Sequence, residues 1–131
     1  MSSNRFSTSW KRSTQQRKQH LYRYNAPLHL RQKLTSVHLS PELRKKYVRR
    51  SLSPRKGDKV KILRGKFAKR EGKIERILLK RERIYITGME NIKKDGTKLP
   101  AAFPPSHLML IELDLNDKYR KQKLEKRPLT K

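Results

Sequence analysis

Apolar residues take up a regular beat only between residues 54 and 114. After the turn "PRKGD", Val60 and Ile62 alternate with Lys59 and Lys61, the period-two pattern of a half-buried strand. A second strand follows Gly72, where Ile74, Ile77 and Leu79 break strict alternation and predict a bulge or bend of the kind small barrels need. Ile84 and Ile86 mark a third strand after the short turn "KRER". "KKDGT" supplies an Asp95-Gly96 pair, which favours a tight hairpin. "HLMLIEL" is apolar on both faces and reads as the closing strand. About five short strands in some sixty residues describe a small, twisted, antiparallel barrel rather than a sandwich.

The flanks carry helix signals instead. Pro27 can open a short helix through Leu30 and Leu34. In "SPELRKKY", Ser40 suits the cap, Pro41 the first helical position, and Glu42 the positive end of the helix dipole. Near the other end Asp117 can cap a short basic helix, "KYRKQKLEK", that Pro128 stops. Its Tyr119 and Leu124 form no apolar stripe, which argues against a membrane-surface helix. The expected organisation is a basic N-terminal arm over 1–53, a barrel over 54–114 that folds without the arm, and a basic tail over 115–131.

Charge changes this picture most. The 131 residues hold 36 Lys and Arg against 11 acids, a net of +25 with a pI near 11.0, and only 33% are hydrophobic. Residues 1–56 contain fifteen cations and one acid, Glu42, whereas residues 57–114 hold fourteen cations and eight acids. A free monomer so charged repels itself, so the counter-charge belongs to a partner. Phosphate polyanions fit best, because neutralising phosphates releases condensed counterions. With no cysteine, disulfides, thiolate nucleophiles and cysteine metal sites are all excluded. His20, His29, His38 and His107 are scattered without metal-ligand spacing, and Glu71, Glu75 and Glu82 assemble no nucleophile, base and oxyanion site. Neither an enzyme, a small-molecule substrate nor a cofactor is indicated. No apolar run approaches the ~20 residues of a membrane span, and "MSSNRFSTSWKR" lacks the apolar stretch of a secretory signal. A soluble intracellular protein is expected.

Gly65 and Gly72 bracket "KFAKRE", with Lys66, Lys69 and Arg70 at the tip and Arg64 and Lys73 at the strand ends. Glycine permits a positive φ or a close backbone approach, so this pair can turn the chain and bring amides near a phosphate. A hairpin whose lysines simply face water is the plainer reading, but the loop continues the chemistry of the arm. There "QQRKQHLYRYNAP" interleaves Arg17, Lys18 and Arg23, candidates for phosphates, with Tyr22 and Tyr24, candidates for base stacking. Arg31, Arg44, Lys45, Arg49 and Arg50 extend the basic series.

Val60, Ile62, Gly65, Gly72, Lys73, Ile74 and Ile77 resemble a KOW motif, the strand–loop–strand unit of ribosomal and transcription-elongation proteins. The likeness runs well outside it. "YNAPLHLRQKL", "LSPELRKKY", "RRSLSPRKGD", "IYITGMENIKKDGTKLP" and "PPSHLMLIELDLNDK" look like the large-subunit ribosomal protein family numbered twenty-four in the universal scheme, across roughly residues 17 to 124. The "NAP" and "SPELR" segments favour its archaeal branch, with the eukaryotic counterpart also similar. One departure stands out, since the family often has a further glycine inside the loop where this chain reads Ala68, Lys69, Arg70. The resemblance implies an SH3-like barrel in the cytoplasmic large ribosomal subunit. It further implies binding to ribosomal RNA near its 5′ domain, a role in early assembly, and a place near the nascent-chain tunnel exit beside other large-subunit proteins. The alternative is a KOW module that recruits a transcription or translation complex through an exposed apolar patch including Phe67, Phe103 and Met109.

Overall fold

A computed structural model describes residues 6–7 and 12–125. Two helices lead, α1 (Gln16–Asn25) and α2 (Leu28–Leu34), followed by β1 (Val37–Leu39), α3 (Pro41–Tyr47) and β2 (Ser51–Leu52). Next come β3 (Lys59–Ile62), β4 (Glu71–Leu78), β5 (Arg83–Ile92), β6 (Lys98–Phe103), β7 (Leu108–Glu112) and α4 (Lys118–Glu125). The fold is mainly β, a small SH3-like barrel with helices at its flanks. Its seven strands are ordered β2-β1-β7-β3-β4-β5-β6.

The core residues are those set by the period-two pattern. Val60, Ile62, Ile74, Ile84 and Ile86 are buried, joined by Leu108 and Leu110 from β7. The expected bulge lies in β4, where the register against β5 shifts between Ile74 and Arg76. That shift lets both Ile74 and Ile77 contribute to the core although they stand an odd three positions apart. The Asp95-Gly96 turn closes the β5–β6 hairpin with Gly96 at φ +78° and its N–H donating to Lys93 O at 3.0 Å. "KRER" is folded as a 3-10 turn at Leu79–Arg81, ended by Glu82 in the left-handed region.

The barrel differs from expectation in pairing and in count. It is not wholly antiparallel, because β1 lies parallel to β7 in the register His38↔Met109 and Leu39↔Leu110. The two additional strands are β1 and β2, three and two residues long, too short for a periodic signal to register. β7 therefore has a strand on each side, β1 and β3; of its apolar run, Leu108 and Leu110 are buried while Met109 and Ile111 are half-buried. Val37 and Leu39 are fully buried in the same core, so the sheet begins inside the segment expected to be an arm. By contrast, α1 has no buried residue.

Capping follows the expected chemistry. Ser40 Oγ accepts from the Leu43 N–H at 3.3 Å, and Pro41 begins α3. Asp117 Oδ1 accepts from the Tyr119 N–H at 2.9 Å at the start of α4. The other Asp117 oxygen accepts from Arg55 Nη1, and that guanidinium contact, followed by the backbone bond, holds the Asp117 carboxyl below the usual carboxylate range. Pro128, expected to end this helix, lies outside the described residues.

One buried ion pair, with no counterpart in the hydrophobic pattern, fastens α4 to the barrel. Asp58 is 0% and Arg120 6% exposed, and the two guanidinium nitrogens donate to the two carboxylate oxygens at 2.7 Å each. Asp58 also accepts from the Arg55 and Asp114 N–H groups, both at 2.8 Å, while Arg120 Nη1 donates to Asp114 O at 2.8 Å. Removing one partner strands a buried charge, a change that costs about 3–5 kcal/mol. Arg120→Met is expected to lower the unfolding free energy by that amount in urea titration, and adding Asp58→Asn to it should cost less than the sum of the two single changes.

Truncation separates the two parts of the N-terminal segment. Removing residues 1–25 should leave cooperative unfolding intact, since α1 buries nothing. Removal of 1–53 should abolish it, because β7 loses its β1 neighbour and the core loses Val37 and Leu39, side chains that each contribute about 1.5–3 kcal/mol. Thermal unfolding of the two fragments is the check.

Candidate nucleic-acid interface

The loop between β3 and β4 is held from both ends and from beneath. The Ile62 N–H donates to Arg70 O at 2.9 Å, and the Lys69 N–H returns to Ile62 O at 2.8 Å. Inside it, the Ala68 N–H donates to Gly65 O at 3.0 Å and the Arg70 N–H to Phe67 O at 3.2 Å. Phe67 turns inward, 8% exposed, and meets Phe103 edge-on with ring centroids 5.8 Å apart. An aromatic pair in this geometry adds about 0.5–1.5 kcal/mol beyond its buried area. The loop is thus a structured platform rather than a loose turn.

The two glycines act differently. Gly65 has φ +96° with nothing within 4 Å of a Cβ built upon it, so backbone conformation alone calls for glycine there. Gly72 has no positive φ and pairs with Val60 within β4. A Cβ on it would sit 2.5 Å from Ile86 Cγ2, so Gly72 permits close packing of β4 against β5 rather than an approach to a ligand. Inside the loop Lys69 itself takes φ +69°. That conformation costs a side-chain-bearing residue about 1–2 kcal/mol.

Charge at the loop is one-sided. Its only acid, Glu71, faces Lys59 at 3.6 Å and Lys61 at 3.9 Å on β3. Lys59 also bonds Glu112 at 3.2 Å, and that hydrogen bond, reinforced by the charges of Glu112 and Glu71, holds its ammonium above the ordinary lysine value. The strand lysines therefore engage the acids, and none of Arg64, Lys66, Lys69, Arg70 and Lys73 pairs with a carboxylate among the described residues. All five are exposed. Lys66 Nζ and the Arg70 guanidinium lie 5.8 and 5.5 Å from the Phe67 ring centroid, so the buried ring also positions cations at the surface.

The remaining candidates divide by what they touch. Arg31 donates to Tyr24 O at 2.6 Å, Arg44 Nε to Leu39 O at 2.9 Å, and Arg49 to Lys123 O at 2.7 Å. Arg23 approaches Glu82 at 3.9 Å. These four stitch the N-terminal segment to itself, to the barrel or to α4. Arg17, Lys45 and Arg50 are exposed, and Lys18 is half-buried on α1. Tyr22 packs against Phe6 at 4.9 Å between centroids, whereas Tyr24 stands 78% exposed and keeps a ring face for stacking. Sequence reasoning missed Asp58 and Arg120, whose one visible signal was an acid placed directly before a strand in an otherwise basic turn.

A protein-family model that describes the eukaryotic L26 and archaeal L24 ribosomal proteins matches residues 13–127. The chain belongs to this family. Among curated relatives, the large ribosomal subunit protein uL24 of Methanothrix thermoacetophila is 46% identical over 110 residues, covering 84% of this chain and 95% of the relative. The uL24 of Methanospirillum hungatei is 46% identical over 112 residues, with coverages of 86% and 93%. That of Methanosphaera stadtmanae is 45% identical over 115 residues, with coverages of 88% and 98%. In this family member the likeness extends through the flanks as well as the barrel.

Backbone strain in the loop gives a direct test. Lys69→Gly is expected to raise the unfolding free energy by about 1 kcal/mol, since glycine accepts the positive φ. Gly65→Val should lower it by about 1–3 kcal/mol, the cost of holding a β-branched residue in that region. Denaturant titration of the two variants distinguishes a strained platform from a slack turn, which would leave both unchanged.

Proposed function

We propose that the chain is a structural constituent of the large ribosomal subunit, working in the cytoplasm, that binds ribosomal RNA near its 5′ domain. It supports early subunit assembly there and lies near the nascent-chain tunnel exit beside other large-subunit proteins. In this reading it acts by binding and carries no catalytic step. The observation that supports it most directly is the β3–β4 loop: five exposed cations without carboxylate partners among the described residues, on a backbone anchored by buried Phe67. Such a surface suits an external polyanion, and its preorganisation lowers the entropy lost on binding.

The parts have separate tasks. Residues 1–53 form the RNA-binding arm, whose later portion doubles as the sheet edge; 54–114 present the loop; 115–131 add a basic tail. Arg17, Lys18, Lys45 and Arg50 meet phosphates beside the loop cations, and Tyr24 offers a stacking face. Recruitment of a protein partner through Phe67, Phe103 and Met109 finds no support in the geometry, because Phe67 and Phe103 are 8% and 7% exposed.

Sedimentation of lysate through a high-salt gradient, with and without ribonuclease, tests the assignment. Co-migration with the large subunit that ribonuclease abolishes is expected, and migration away from ribosomes in intact lysate overturns it. For the loop, replacing Lys69 and Arg70 by Ala should weaken binding to ribosomal RNA and reduce the slope of log K against log salt by about two. An unchanged slope removes these residues from the interface.

A further inference from the structure

At the far end of the β3–β4 ribbon from the loop lies a second feature. A cleft of about 810 Å³ opens between α2, the edge strand β2, the end of β4 and α4, a size typical of small-molecule sites at roughly 300–1,000 Å³. The Gly57 N–H donates to Ile74 O at 2.9 Å, which seats Arg55 and Lys56 at this end. Ser53 Oγ donates to Gln32 O at 3.1 Å and ties α2 to the same wall.

The lining has two characters. Leu52, Ile77 and Leu79 supply an apolar wall, and Tyr119, 83% exposed, stands beside it. Arg49, Lys56 and Lys123 supply charge, and among the described residues no acid lines the cleft. Arg55 and Arg120 are already engaged by Asp117 and Asp58, whereas Arg49, Lys56 and Lys123 have no carboxylate partner among the described residues. Arg49, which lines the cleft, also keeps a buried Nε–H with no acceptor, an unmet donor of a kind that is uncommon in folded proteins.

An apolar wall, an aromatic ring and cations without acids match one chemistry, a flat heteroaromatic base attached to phosphate. We infer that this cleft receives a single unpaired nucleotide of an RNA strand, its base against Ile77, Leu79 and Tyr119 and its phosphates toward Arg49, Lys56 and Lys123. Bases splayed from bulges and loops are the usual targets of specific RNA recognition, held by stacking and by cations on the flanking backbone. The inference rests on the reading of this chain as RNA-binding and gives it a second contact, separated from the loop by the eight residues of β4, about 25 Å at strand rise.

The test uses the full chain and two hairpin RNAs sharing one stem, one of them with a single 2-aminopurine bulge. Wild-type protein is expected to prefer the bulged RNA by about tenfold, the effect of one stacked base, with a fluorescence change at the bulge. Ser51→Trp, which fills the cleft, and the double change Lys56→Ala with Tyr119→Ala, which removes rim contacts, should each abolish the preference. Both should keep the thermal transition of the wild type, and Ser51→Trp should keep its affinity for the perfect stem. Equal affinity for the two RNAs, or a preference both variants retain, overturns the cleft assignment and leaves the loop interface standing. Failure to bind either RNA at low salt overturns both. Binding of adenosine monophosphate alone as tightly as the bulged RNA makes a free nucleotide the ligand and overturns the assignment to RNA.

Discussion

Asp58 is the point on which the two ends of the barrel segment and the C-terminal helix converge. Its two oxygens accept four hydrogen bonds, from the Arg55 and Asp114 amides and from both ends of the Arg120 guanidinium. The lead-in to β3, the exit from β7 and the helix α4 are thereby fixed to one buried carboxylate. A carboxylate is tolerable at zero exposure only because donors surround it. An isolated short helix such as α4 is marginal in water. Its buried anchors are Arg120 and Leu124, and with one of them an ion pair, its docking has a defined geometry rather than an oily one.

A chain with 36 cations and 11 acids has few acids with which to organise itself, and their placement decides which cations face outward. Asp58 and Asp117 are bound to Arg120 and Arg55, and Glu71 and Glu112 to the lysines of β3. Glu82 reaches back to Arg23 on α1. These acids hold together strands, the tail and the first helix. Among the cations left without a carboxylate partner in the described residues are those at the tip of the β3–β4 loop and along the cleft beside α4. Self-repulsion among such groups opposes compactness, and the buried pair and the strand ion pairs work against it from within.

Legibility followed length and periodicity. β3, β5 and β7 were readable because Val60 and Ile62, Ile84 and Ile86, and the run at 107–113 imprint the burial of each face on the sequence, and the bulge was readable because Ile77 fell out of step with Ile74. β1 and β2 were not, since two or three residues carry no period. Their place in the sheet depends on a parallel pairing with β7, a contact about seventy residues away in sequence that no local pattern encodes. The cations of the candidate site were easy to nominate and hard to sort. Arg44 and Lys45 are neighbours in one helix, yet Arg44 caps a strand carbonyl while Lys45 is exposed. Composition treats the two alike, and only tertiary structure separates an internal tie from a surface charge.

The loop shows why stability and binding need not coincide at one residue. Lys69 occupies a left-handed conformation that glycine would take without strain, so the local fold is less stable than it could be. The side chain that carries this strain also adds a charge at the tip of the loop, beside Lys66 and Arg70 and above the buried Phe67. Strained conformations of this kind persist only where surrounding contacts over-determine them. Here those contacts are visible, in the Lys69 N–H bond to Ile62 and the Phe67–Phe103 pair beneath. The fold absorbs the cost in its hydrophobic floor and presents the cation in a set position. A glycine in the same place would give a more relaxed loop with one fewer charge to offer a phosphate.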